Sequence, residues 1–122
     1  MESRRDSVRF ELKSGSVTVD ADTLDQMKLA MLSFLDGPSF PPQFLELRES
    51  IRAELRSSAV WIQAGQAGIG AWRLENEAGR LTLVRYPPPT TGRAYIYHAP
   101  LERDDSGWKV LSLEQEREFG PA

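Results

Sequence analysis

From Ala59 onward the apolar residues recur with a period of two, in short runs at Ala59–Ala64, Ala71–Asn76, Arg80–Tyr86, Arg93–Ala99 and Trp108–Leu113. Turn signals rich in Gly, Pro and Asp separate them, at Gly65–Gly70, Glu77–Gly79, Pro87–Gly92 and Asp104–Gly107. None of these separators holds a crossover helix, which parallel strands require. The second half of the chain is therefore confined to an antiparallel meander, and dinucleotide-binding βαβ folds are disfavoured.

The first half reads differently. Val8-Arg-Phe-Glu-Leu-Lys13 alternates strictly, placing Val8, Phe10 and Leu12 on one face, and Val17-Thr-Val19 resumes the pattern after Ser14-Gly15, so residues 7–20 form a β-hairpin. Asp20 or Asp22 caps a helix over about Thr23–Asp36, which Gly37-Pro38 ends. Its stripe is Leu24, Met27, Met31, Phe34 and Leu35, but Leu29 and Leu32 fall outside it, so the helix is apolar round most of its circumference. Pro41-Pro42 opens a second helix over about Gln43–Ser57, with Phe44, Leu47, Ile51 and Leu55 on its apolar face. The expected fold class is α+β: an N-terminal β-hairpin, a two-helix hairpin, then a mostly antiparallel β-meander with the helices packed on one sheet face.

Composition sets the outer limits. The 122 residues suffice for one core, and residues 1–122 are expected to form a single domain with 1–6 and 115–122 as charged, mobile tails. The absence of cysteine removes disulfides, thiol nucleophiles and cysteine-ligated metals, and His98 is the only histidine, so no metal centre and no cofactor is expected. No apolar run approaches a membrane span, and Met1–Ser7 carries charges without an apolar stretch behind them, so a cytoplasmic location without membrane association is expected.

The chemistry-bearing residues concentrate between Arg80 and His98, a stretch without an acid that holds Arg80, Arg85, Arg93, Tyr86, Tyr95, Tyr97 and His98. Guanidiniums and phenols on adjacent strands bind carboxylates, phosphates or planar rings, which makes Arg85, Tyr86, Arg93, Tyr95 and Tyr97 the candidate ligand-binding set. Parity divides them, because Tyr95, Tyr97 and Ala99 share one strand face and Ala94, Ile96 and His98 the other. The bland reading, tyrosines filling a half-buried sheet and arginines solubilising its edges, outweighs the functional one by roughly two to one. A net charge of −3 lacks the basic footprint of nucleic-acid binding.

His98 is the only candidate for acid–base catalysis, with Glu102, Asp104 and Asp105 the nearest acids that follow it and Pro100 available to turn the chain toward them. Lys28 and Arg48 lie inside apolar stripes; each must snorkel or find a partner, and their convergence on one cavity would predict an anionic ligand. Gly65-Gln-Ala-Gly-Ile-Gly70 precedes a strand rather than a helix and lacks a Lys-Ser/Thr pair, so it reads as a flexible turn and not a phosphate loop. Asp104-Asp105-Ser-Gly107 lacks the further ligands of a calcium loop and reads as a hairpin turn.

Helices followed by a meander that ends in Gly107-Trp-Lys-Val110 resemble the cystatin-like and nuclear transport factor 2-like α+β cones over the second half of the chain. The N-terminal hairpin departs from that pattern, and the catalytic acids of those families have no counterpart here. Two helices cover only one face of the sheet, while several strands are apolar on both, so a partner subunit, strong curvature or a wet face must account for the other. The expected function is a non-catalytic binding or protein-interaction module acting as a homodimer, with a small anionic or aromatic ligand or a protein as further partner. The alternative is a small hydrolase or isomerase using His98 in a sheet-enclosed pocket.

Overall fold

A computed structural model describes residues 6–87 and 95–117. Strands β1 (Ser7–Leu12) and β2 (Gly15–Asp20) pair with Val8 opposite Val19 and Phe10 opposite Val17, so the alternation delivers one apolar face to the core. The turn residues are Lys13-Ser14, one position earlier than expected, because Gly15 already pairs with Leu12 at φ +126°. Helix α1 (Ala21–Leu35) starts where Asp20, rather than Asp22, accepts hydrogen bonds from the Thr23 amide and hydroxyl, both at 2.9 Å.

The segment expected as one helix over Gln43–Ser57 is two. Pro42–Leu47 winds as a tighter 3-10 helix, with no side chain capping its start, and only Arg48–Ser57 forms a regular helix, α2. The meander comprises β3 (Val60–Gln63), β4 (Gln66–Ile69), β5 (Trp72–Glu77), β6 (Arg80–Arg85), β7 (Tyr95–Asp104), β8 (Gly107–Val110) and β9 (Glu114–Arg117). All its pairings are antiparallel, in the order β3-β4-β5-β6-β7-β8, with β9 also on β7. The α+β class, the hairpin and the meander stand as expected from sequence.

Four details depart from expectation. The glycine-rich stretch is not a turn: Gln66–Ile69 is strand β4, burying Ala67 and Ile69, and only Ala64-Gly65 and Gly70-Ala71 turn. Gly68 allows this, since a Cβ there would collide with the Trp72 carbonyl and the Trp61 ring. Pro100 does not end the strand that contains it; β7 runs on to Asp104, with Pro100 opposite Thr82 and its carbonyl accepting from the Leu111 amide at 2.9 Å. Residues 114–117, read from sequence as part of a charged tail, pair with Tyr95–His98. Of the strand expected at Trp108–Leu113, only the part through Val110 is strand.

Helix α1 contacts β8 at one end of the sheet order and β3 and β4 at the other, so the sheet curls round it. The near-circumferential apolarity of α1 follows from this placement: Leu24, Met27 and Met31 are fully buried, and Leu32 is partly buried, while Leu29 stays 65% exposed. The register gives the sheet an inner face of Ile69, Trp72, Leu74, Leu81, Leu83, Ala99 and Leu101. The outer face carries Arg73, Glu75, Glu77, Thr82, Val84 and His98.

Candidate functional site

The residues nominated from sequence divide between the two faces. On the inner face, Arg85 of β6 forms a forked ion pair with Glu54 of α2, its Nη2 2.6 Å from Oε2 and its Nε 2.8 Å from Oε1. The Trp72 indole donates to the same carboxylate at 3.1 Å. Hydrogen bonding to Glu54 raises the Arg85 pKa, against the burial that opposes it. Tyr97 sits edge-on to Phe44, ring centroids 5.9 Å apart, and burial raises its pKa, assisted by Tyr95 and opposed by Arg85. Tyr95, on the same strand face, is 40% exposed.

Tyr86 belongs to the other face. Its hydroxyl donates to Glu75 at 2.7 Å and the Arg73 guanidinium lies 5.4 Å from its ring centroid. The bond to Glu75, with burial and the carboxylate charge behind it, pushes the phenol up to about 12. The five-residue binding set therefore does not assemble: Arg85, Tyr95 and Tyr97 share the inner face, Tyr86 faces outward, and Arg93 lies outside the described residues.

His98 also faces outward, beside Val84, and is clamped at both ring nitrogens. Nδ1 lies 3.0 Å from a Glu77 oxygen and Nε2 2.7 Å from Glu116, and the side chain is 17% exposed. Burial opposes protonation, but the hydrogen bonds and charges of Glu116 and Glu77 outweigh it and raise the pKa. With both ring nitrogens engaged by carboxylates, the side chain offers no free nitrogen to a substrate proton in this arrangement. The partners are Glu77 of β5 and Glu116 of β9, not Glu102, Asp104 or Asp105; Asp104 instead holds Lys109 at 2.7 Å and the Ser106 amide at 2.8 Å, which makes its segment the hairpin turn expected.

The two helix cations do not converge. Lys28 donates to the Ser58 carbonyl at 2.6 Å, just beyond the end of α2, whereas Arg48 stands at the start of that helix with Nε 3.8 Å from Glu49. The ten-residue helix sets these points roughly 15 Å apart. The residue that sequence reasoning missed is Glu54. It flanks the Ile51–Leu55 stripe, and a carboxylate beside a buried helix face was the available signal that it needed a cationic partner.

A different region remains open. Between the β1–β2 hairpin, the β5–β6 turn and the β7–β8 end of the sheet lies a cleft of about 630 Å³. Leu12, Leu81, Leu101 and Trp108 form its apolar lining; Lys13, Arg80, Arg103, Glu77 and Glu102 surround it. The hairpin is fixed there by the Lys13 amide, which donates to Gly79 O at 3.0 Å, and by Asn76 Nδ2, which donates to Glu11 O at 2.7 Å. A shallower notch of about 500 Å³ is lined by Gln43, Phe44, Leu113, Glu114 and Gln115. Among the described residues no group of His, Asp and Glu is arranged to hold a metal ion, and no helix is long and apolar enough to cross a membrane.

Comparison with protein-family models, with curated proteins and with solved structures returns no significant match. The likeness to the α+β cones accordingly rests on the order of elements, and function is read from the geometry of this chain.

Proposed function

We propose that this protein is a non-catalytic binding module. One observation carries the reading: its histidine is saturated by Glu77 and Glu116, so the one side chain suited to acid–base work near neutrality is committed to holding strands together. The arginine and tyrosines nominated from sequence support it as well, since Glu54 occupies the guanidinium fork of Arg85 and Glu75 occupies the Tyr86 hydroxyl. A binding module needs an accessible concave surface that combines an apolar floor with polar groups able to orient a ligand, and the cleft beside the hairpin offers Leu12, Leu81, Leu101 and Trp108 with charged residues round them.

The test is a turnover screen with activated esters, phosphate monoesters and proton-exchange substrates, comparing wild type with His98→Gln. The expected result is no turnover above the heat-treated control. Turnover that disappears with His98→Gln would overturn the reading and restore the hydrolase or isomerase alternative.

A further inference from the structure

The cleft beside the hairpin is charged in a way that its neighbours do not explain. Lys13, Arg80 and Arg103 surround it, and among the described residues none of the three has a carboxylate within ion-pair distance. Two acids line the same space, but Glu77 is already engaged by His98, which leaves Glu102 against three cations.

The cations are also placed rather than merely present. The Arg103 guanidinium lies over the Trp108 ring, 5.4 Å from its centroid, a cation–π contact that ties the charge to the apolar wall of the cleft. The Lys13 stem lies against Gly79, where a Cβ would strike its Cγ, so the side chain is packed on the β5–β6 turn that precedes Arg80. Beneath them, Leu12 and Trp108 are partly exposed over the buried Leu81 and Leu101.

We propose that this cleft binds a small amphipathic anion, its apolar body against Trp108 and Leu12 and its oxyanion held by Arg103 with Arg80 and Lys13. The volume lies within the range of small-molecule sites, roughly 300–1,000 Å³. Charge complementarity sets the sign of the ligand, the guanidinium fork its oxyanion, and the lining its apolar body. The assignment rests on the binding-module reading and names its ligand class and site.

Two fluorescent probes of matched shape test it: anilinonaphthalene sulfonate, which carries the oxyanion, and phenylnaphthylamine, which lacks it. The sulfonate is expected to saturate the protein and to bind about tenfold tighter than the uncharged probe. Arg103→Gln and Arg80→Gln should each weaken the sulfonate about threefold to tenfold while leaving the uncharged probe unchanged. In an amide and indole NMR spectrum the Trp108 N–H should move and that of Trp72 should stay. Unchanged circular dichroism certifies that both variants fold. Equal affinity for the two probes, indifference to both substitutions, or shifts centred on Phe44 and Leu113 would each overturn the site. Such a failure leaves the binding-module reading standing, whereas turnover dependent on His98 removes that reading whether or not the probe binds.

Discussion

At the scale of single residues, the polar groups of this sheet work mainly as ties between elements distant in sequence. Glu54 and Arg85 join α2 to β6 across 31 positions, with both carboxylate oxygens used by one guanidinium, a forked geometry stronger than a single neutral hydrogen bond. His98 joins β7 to β5 and to β9, and its linkage to pH has a definite sign. The folded-state pKa is raised above the unfolded value of about 6.5, so the clamp contributes fully below that pH and its contribution fades as pH rises through the raised folded value. His98→Gln is therefore expected to lower stability by about 1–2 kcal/mol near pH 6 and by less at alkaline pH, measured by urea denaturation across the range. A loss independent of pH would show that the histidine acts only through packing. Parity along β7 was legible in the sequence and correctly separates His98 from Tyr95 and Tyr97. The identity of the acids was not, because Glu77 and Glu116 reach His98 from strands 21 and 18 positions away.

At the scale of elements, local chemistry accounts for most boundaries and tertiary contact for the exceptions. The hairpin and α1 follow from alternation, a capping aspartate and a Gly-Pro stop, all of which act within a few residues. Strand β4 is the exception. Its glycine-rich composition argues for a turn, and it is a strand because Ala67 and Ile69 bury while Gly68 lets the Trp61 ring close over the backbone. The Trp61 indole completes the arrangement by donating to Gly70 O at 2.9 Å. Gly68→Ala should thus cost about 1–3 kcal/mol and shift the Trp61 fluorescence, even though alanine is the better strand former of the two. A neutral result would mean that the indole has room to move aside.

At the scale of the whole molecule, the curl of the sheet decides which surfaces are left for partners. The sheet wraps α1 from both ends, which accounts for the apolar circumference of the helix within one chain. Thr82 and Val84 on the outer face of β6 are 2% and 0% exposed, with Glu75 and His98 as their cross-strand neighbours. What remains of the case for a homodimer is Leu29, at 65% exposure the one large apolar side chain of α1 left to solvent among the described residues. We propose that two copies pair through this helix. Light scattering should give the mass of two chains for wild type and of one for Leu29→Glu; a single-chain mass for wild type removes the dimer and leaves the binding module intact.

The sequence by itself determined the α+β class, the antiparallel meander and the shared face of Tyr95 and Tyr97, because alternation, capping and turn chemistry operate over a few residues. Only the tertiary structure decided that the sheet curls round α1, that Glu54 takes the Arg85 fork and that, among the described residues of the acid-free stretch, Tyr86 and His98 face away from Arg85, Tyr95 and Tyr97. It also built the cleft proposed as a binding site from three turns and ends distant in sequence. The physical reason is the same throughout: twist, curvature and long-range side-chain pairing depend on which segments meet in space, and that information is carried by no local pattern.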